Sequence, residues 1–142
     1  MNKYIITIIL FFCTFNLSAQ NTKKTFKGHF YNEEHDIYLI IDLYDMNVEV
    51  PNHTLFDNLP GYLAKRHNSF YWLVTSGKIT DNNHAELDMI NDFGSEDAKV
   101  CLEQINDSTF IFKQKEGSVI KIANNGKWKK LPKELRLKKS NH

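Results

Sequence analysis

Three side chains that could bind a metal ion recur at every second position of one short segment: His84, Glu86 and Asp88. Residues two apart in a β-strand point to the same face, so the imidazole and both carboxylates would share one surface. Nitrogen and oxygen ligands of this kind can hold Zn²⁺, which could assist a hydrolysis reaction. The same alternation is typical of the solvated outer face of a half-buried strand. We expect that simpler interpretation to hold, so the sequence predicts no metal and no other cofactor.

The other groupings of reactive side chains lack a feature that their chemistry requires. Residues 33–36, Glu-Glu-His-Asp, offer acids and a base but no apolar surroundings that would raise a carboxyl pKa. The acidic segment 92–97 lacks the ligand spacing of a hand-type calcium loop. Cys101 has acidic neighbours in the sequence, which disfavour a reactive thiolate, and the chain has no Gly-x-Ser-x-Gly elbow. These patterns predict a protein without catalytic residues.

Aromatic residues spread along the chain are the second kind of candidate site. If the strands enclose an interior, these side chains would either line a pocket for one small apolar molecule or fill an ordinary packed core. Aromatic content alone does not separate these two alternatives. The residues that we expect to line or fill the interior are Phe26, Phe30, Tyr38, Tyr62, Trp72, Phe110 and Phe112.

The start of the chain has the pattern of a secretory signal peptide. Lys3 precedes an apolar-rich run over residues 4–15, a short polar stretch follows, and Ala19 offers a small residue for cleavage. The run is shorter than the roughly 20 residues that a membrane-spanning helix needs. Cys13 follows the bulky Phe12, so a lipoprotein signal is not expected. We predict a signal peptide over residues 1–19 and a secreted or periplasmic mature chain.

The remaining segment, residues 20–142, is long enough for one domain with its own hydrophobic core. It retains one cysteine, Cys101, so its stability cannot depend on an internal disulfide. Its basic and acidic residues balance, and together with secretion this argues against nucleic acid as a partner. A basic cluster near the end of the chain could contact an anionic surface, such as lipid head groups or an acidic protein face. The cluster contains Lys127, Lys129, Lys130, Lys133, Arg136, Lys138 and Lys139.

Short runs with period-two alternation, separated by turn residues, predict an all-β fold. We expect about 8–10 antiparallel strands in a meander that closes as a small barrel, with a two-sheet β-sandwich as the alternative. The apolar segment 70–75 predicts a strand covered on both faces. The apolar parity changes after Tyr44, which predicts a bulge or bend and a continued strand over residues 46–50. A short basic tail after Pro132, with at most one helical turn, is expected to pack against the end of the barrel.

Gly28, His29 and Phe30 in the first strand, followed by a meander of this size, resemble the Gly-x-aromatic opening of lipocalin-like barrels. In that family the aromatic residue is usually Trp, and a long helix often follows the barrel. The resemblance implies a barrel whose interior binds an apolar ligand, and it implies no catalytic residue.

Three functional hypotheses follow from these patterns. The first is a secreted, non-enzymatic binding domain that takes a small apolar ligand into the barrel. The second is a surface module for protein–protein contact, of the inhibitor or immunity type. The third is a metal-assisted hydrolase using His84, Glu86 and Asp88, which we rank last.

Overall fold

The fold is an antiparallel β-barrel, seen in a computed structural model that describes residues 22–54 and 58–141. Eight strands close the barrel in the order β1-β10-β7-β6-β5-β4-β3-β2, and β8 and β9 form a separate two-stranded sheet. This confirms the all-β prediction and selects the barrel over the sandwich. In this part of the chain no helix is long and apolar enough to cross a membrane. The predicted signal peptide lies outside the described residues. The strands are β1 (Lys27–Asn32), β2 (Ile37–Asp42), β3 (Gly61–Lys65), β4 (Tyr71–Ile79), β5 (His84–Asn91), β6 (Asp97–Gln104), β7 (Thr109–Gly117), β8 (Lys121–Asn124), β9 (Lys127–Lys130) and β10 (Glu134–Lys139).

Strict alternation of apolar and polar residues places one face of each strand in the interior. In β5 every second residue is buried, and Ala85 and Leu87 pair across the ladder with the buried Leu102 and Val100 of β6. Matched apolar rows on neighbouring strands therefore build the core, as period-two side chains require.

The barrel closes through β10, the segment that the sequence suggested was a tail. Leu135 and Leu137 are buried, and β10 pairs with β7 on one side and with β1 on the other. The seam with β1 is short, and the Lys139 ammonium completes it by donating hydrogen bonds to the backbone carbonyls of Lys24 and Thr25. Gly28 has φ +136°, and a side chain there would crowd the Lys139 methylenes. A glycine at this position thus lets the lysine cross the seam.

The β8–β9 hairpin covers one end of the barrel. It lies outside the barrel sheet, yet Ile122 and the flanking Ile120 and Leu131 belong to the interior cluster, which is possible only at an open end. The Trp72 indole N–H donates to the Lys121 carbonyl at 2.9 Å and fixes the hairpin to β4.

The connection between β2 and β3 covers part of the outer surface instead of continuing the strand. The prediction of a strand over residues 46–50 was wrong, because β2 ends at Asp42. The Asp42 carboxylate accepts the backbone N–H groups of Tyr44 and Asp45, and Met46 has φ +51°, so the chain turns away. One isolated bridge between Val48 and Leu59 holds this connection. Its apolar side chains form an outer cluster with residues of β2, β3, β4 and β5. The outer cluster contains Tyr38, Ile40, Val48, Val50, Leu59, Tyr62, Ala64, Tyr71, Leu73 and Ile90.

Candidate functional site

The residues proposed to bind a metal lie on the outer face of β5 but are held by different partners. The His84 Nδ1 atom lies 2.8 Å from Asp81, and the Asp88 carboxylate accepts a hydrogen bond from Ser76 at 2.6 Å. The backbone N–H of Asn83 and the His84 ring hold the pKa of Asp81 below its usual range. Within residues 22–54 and 58–141 no group of three His, Cys, Asp or Glu side chains is placed to hold a metal ion. The hydrolase hypothesis gains no support from this geometry.

Cys101 is half-buried on β6 beside a groove of about 510 Å³ on the outer face of β4 to β7. Burial raises the pKa of its thiol, and the carboxylates of Glu103 and Glu86 act in the same direction, against the opposing effect of Lys115. A nucleophilic cysteine requires a lowered pKa. The environment of Cys101 therefore gives it the character of an unreactive thiol.

Five of the seven aromatic residues predicted for the interior lie there. Their exposed fraction is at most 1%, and the rings pack edge to face, with Phe110 centred 4.8 Å from Phe30 and 6.3 Å from Phe26. These five residues are Phe26, Phe30, Trp72, Phe110 and Phe112. Whether they bind a ligand stays a prediction.

Tyr38 and Tyr62 lie in the outer cluster, so the structure corrects the interior location expected for them. Leu39 and Leu63 point inward, which places the preceding tyrosine of each strand on the outside. The two tyrosine rings meet edge to face at 6.0 Å, and Tyr62 meets Tyr71 in the same way at 5.4 Å. Burial, reinforced by the neighbouring tyrosines, raises the pKa of Tyr62 to about 12. Strict counting of strand parity would have identified both as outward-facing.

Five of the cavities lined by the described residues all have exposed residues in their linings. Of the seven aromatic residues predicted to line a ligand site, only Phe26 contacts one of these cavities, beside Tyr44 near the start of the barrel. The interior aromatics thus pack against one another rather than around one of these spaces. The accessible concave sites lie on the outside.

One outer cavity has walls of two exposed aromatic residues and one partly buried aromatic residue, and we call it the aromatic cleft. Its volume is about 190 Å³, and its walls are Phe70, Phe93 and Trp128. Phe93 is 75% exposed and Trp128 is 55% exposed. The Phe70 ring lies between them, centred 5.5 Å from Phe93 and 4.7 Å from Trp128. Because Phe93 and Trp128 are both exposed and both contact Phe70, the three rings form one surface patch rather than a scatter of single residues.

A tight turn between β5 and β6 places Phe93 at the edge of the cleft. Asn91 ends β5, and its buried side-chain carbonyl accepts the backbone N–H groups of Ser95 and Glu96 at 2.9 and 3.2 Å. Gly94 takes the positive φ of +68° that the turn needs. The amide of one buried residue therefore fixes the loop that carries the most exposed aromatic ring of the cleft.

Trp128 is presented by the β8–β9 hairpin. Asn125 and Gly126 form its two-residue turn, with φ +51° and +76°, as expected for a type I′ hairpin. The hairpin register pairs Trp128 with Ala123, a small residue that leaves room for the indole above the ribbon. The strand pairing, and not the burial of Trp128 itself, holds this side chain in place.

The base of the aromatic cleft is polar. The Lys121 ammonium lies 3.0 Å from the Glu96 carboxylate, and both side chains are about one third exposed, at 34% and 30%. Asn91 and Ser95 complete the lining. The arrangement is suited to holding an apolar group between aromatic walls while polar atoms of a partner meet the ion pair.

Sequence reasoning did not identify Phe70, Phe93 and Trp128 as a functional group. In the sequence, Phe70 begins the apolar segment 70–75, Phe93 lies in the acidic segment 92–97, and Trp128 lies within the basic cluster. The one usable indication is Phe93 itself, a large apolar residue between Asn91-Asp92 and Gly94-Ser95 in a turn. The meeting of three segments far apart in sequence depends on the barrel register, which no local pattern contains.

The basic residues near the end of the chain divide between two places. Lys127, Lys129 and Lys130 lie on β9 beside Trp128, and all three are exposed. Arg136 and Lys138 lie on β10 and, with Arg66 among others, line a separate groove of about 520 Å³ that also contains Glu33 and Glu34. The predicted anionic contact surface is therefore not one continuous patch.

The chain matches no family model, no curated protein and no solved structure. An eight-stranded antiparallel barrel agrees with the lipocalin-like resemblance at the level of architecture.

Proposed function

We propose that this chain is an exported, non-enzymatic binding domain that holds a protein partner at the aromatic cleft. The observation that carries the proposal is the exposure of Phe93 and Trp128, at 75% and 55%, in contact with a shared third ring. Tryptophan and other aromatic residues dominate the binding energy of protein interfaces when they are packed into a partner. Burial of these exposed rings against a partner would therefore contribute favourable binding free energy.

The size of the cleft favours one anchoring side chain over a whole small molecule. Pockets for drug-sized ligands have volumes of about 300–1,000 Å³. The aromatic cleft, at about 190 Å³, is smaller than that range. An apolar side chain that projects from a protein partner fits this space, while the rest of the partner covers the rims.

The packing of the interior favours the surface hypothesis over the interior-ligand hypothesis. A lipocalin-like ligand would have to displace rings such as Phe30, Phe110 and Phe112, which are all 0% exposed and pack in the interior cluster. Small eight-stranded barrels often have interiors that side chains fill completely. The predicted signal peptide, residues 1–19, supports a partner outside the cytoplasm.

Site-specific photo-crosslinking tests this proposal. A photoreactive phenylalanine analogue is placed at position 93 and, as a matched control, at position 105. Ile105 is 50% exposed in the β6–β7 turn and belongs to no described cavity lining, so it reports contacts of an exposed apolar residue outside the cleft. Both variants are expressed in the protein's own host and irradiated.

We expect one discrete protein adduct from position 93 and none from position 105, and Trp128→Ala in the same chain should abolish that adduct. Equal labelling from both positions, or no adduct from position 93, would contradict the proposal. Native mass spectrometry of the unmodified protein provides a second test: a retained small apolar molecule would favour the interior-ligand hypothesis instead.

A further inference from the structure

The β8–β9 hairpin places two lysines directly opposite each other beside the aromatic cleft. Lys121 pairs with Lys130, and Ala123 pairs with Trp128 two positions further along each strand. Side chains two apart share a face, so Trp128, Lys130 and Lys121 lie on the same side of the ribbon. The opposite side carries the buried Ile122, which packs into the barrel. The face with the two lysines therefore points away from the core.

Like charges at directly opposite positions destabilise a strand pair. Glu96 neutralises one of these two, because its carboxylate lies 3.0 Å from the Lys121 ammonium. Among the described residues Lys130 has no carboxylate within ion-pair distance. The segment from residue 121 to residue 133 contains no acidic side chain, so the hairpin cannot neutralise Lys130 itself. Of the two facing lysines, Lys121 is thus paired and Lys130 has no carboxylate partner among the described residues.

We propose that the partner's binding segment carries an acidic residue next to its apolar anchor, with the anchor between Phe93 and Trp128 and the carboxylate on Lys130. This inference rests on the proposed function, because it specifies what occupies the same cleft. Complementary charge next to an aromatic contact steers association and selects one partner over another. Lys127 and Lys129 are also exposed, but they alternate to the other face of β9, so Lys130 is the β9 lysine that shares a face with Trp128.

A displayed library of random peptides, selected against the purified protein, gives the direct test. We expect enriched peptides to carry a large apolar residue with Asp or Glu within two or three positions. The three variants to be compared are Trp128→Ala, Lys130→Glu and Lys78→Glu. Lys78 is an exposed lysine on β4 outside the cleft and serves as the charge-reversal control. It lies opposite Glu86 of β5, so circular dichroism of Lys78→Glu checks that the barrel is retained.

We expect Trp128→Ala to abolish binding of the enriched peptides and Lys130→Glu to weaken it about tenfold, the change that one favourable charge pair commonly provides. Lys78→Glu should leave the affinity unchanged, and high salt should weaken only the binding that depends on Lys130. Lys130→Glu replaces a like-charge pair by an opposite-charge pair across from Lys121, so the hairpin keeps its fold.

The outcomes separate the two proposals. If no peptide is enriched, or if enriched peptides bind Trp128→Ala equally well, the cleft is not the binding site and both proposals fail. If the peptides require Trp128 but lack acidic residues, or bind Lys130→Glu at full strength, only the acidic-partner inference fails. Vesicles of phosphatidylglycerol provide the remaining comparison: binding to them that Lys130→Glu abolishes, in the absence of peptide binding, would identify a lipid surface and overturn the inference.

Discussion

The two tryptophans of this chain have opposite surroundings. Trp72 is 1% exposed, lies in the interior cluster and donates a hydrogen bond to the Lys121 carbonyl. Trp128 is 55% exposed and lies in the aromatic cleft against the edge of Phe70. Lys121 of β8 connects the two sites. Its backbone carbonyl accepts the hydrogen bond from Trp72, and its ammonium pairs with Glu96 at the base of the aromatic cleft. The interior tryptophan is therefore packed into the core of the fold, while the tryptophan of the cleft leaves more than half of its surface to solvent.

The largest expected difference between the two regions is in the free energy of unfolding. Phe110→Ala removes a fully buried ring that meets Phe26 and Phe30 edge to face, and it should cost about 3–5 kcal/mol. Phe93→Ala removes a ring that is 75% exposed and should cost less than about 1 kcal/mol. Urea unfolding of both variants measures the contrast. A cost near 1 kcal/mol for Phe110→Ala would mean a loosely filled interior with room for a ligand.

The turn that presents Phe93 provides the next test. Asn91→Ala leaves the backbone N–H groups of Ser95 and Glu96 without their side-chain acceptor, in a residue that is 3% exposed. We expect a loss of about 2 kcal/mol, the usual cost of unsatisfied buried hydrogen-bonding groups, together with loss of crosslinking from position 93.

The matched control for this turn is Asn106→Ala. Asn106 accepts the N–H groups of Ser108 and Thr109 in the same manner, but in an exposed turn away from the cleft. We expect a smaller loss, about 1 kcal/mol or less, and unchanged crosslinking from position 93. Equal effects of the two variants on crosslinking would show that the Asn91 turn does not organise the cleft.

Acid should weaken the barrel through Asp42, at the end of β2. Burial alone would raise the pKa of Asp42, but hydrogen bonds from Lys27 and from the backbone N–H groups of Asp45 and Tyr44 outweigh it and lower the pKa. A lowered pKa in the folded state gives stability that is complete above the unfolded value of about 3.9 and is lost as pH falls through the folded value. The free energy of unfolding should therefore decrease when the pH is lowered beneath about 4.

Asp42→Asn checks this assignment. The amide keeps an acceptor for the backbone N–H groups but loses the charge that faces Lys27, whose ammonium lies 2.8 Å from the carboxylate. We expect the variant to be less stable at pH 7 by about 1 kcal/mol and to lose less stability than the parent between pH 7 and pH 3. Urea titrations at both pH values measure this, and parallel losses in parent and variant would assign the acid sensitivity to other groups.

The fold could be predicted from the sequence because its main determinant is local. An outer face formed by His84, Glu86 and Asp88 implies that the residues between and after them face inward, and Ala85, Leu87 and Met89 are indeed buried. The apolar segment 70–75 predicted a doubly covered strand, and residues 71–74 are indeed buried on both faces. Closure by β10 was not predicted, because its pairing partners, β1 and β7, are set by long-range register.

The candidate site was harder to predict for the same reason. Phe70 lies before β4, Phe93 lies between β5 and β6, and Trp128 lies in β9, so they meet only after the barrel has closed and the hairpin has folded over its end. The sequence analysis also expected Tyr38 and Tyr62 in the interior with the other five aromatic residues, and that location was wrong for these two. The alternation of side chains within each strand shows which tyrosines face outward. No local pattern, by contrast, shows that residues from distant segments will come into contact.

The smallest expected effect on stability comes from Trp128→Phe. This variant lets fluorescence report the interior and the aromatic cleft separately. The variant leaves Trp72 as the only tryptophan, and because Trp128 is largely exposed the unfolding free energy should change by less than about 0.5 kcal/mol. The emission of the variant, which comes from the buried Trp72, should be blue-shifted and resist quenching by acrylamide. The difference between the parent and variant spectra, which represents Trp128, should be red-shifted and readily quenched. A peptide that binds the cleft should change the parent's spectrum and leave the variant's unaltered. If a small apolar molecule instead shifts the emission of Trp72 in the variant, the interior is the binding site, and the exposed cleft is no longer needed to explain what this barrel binds.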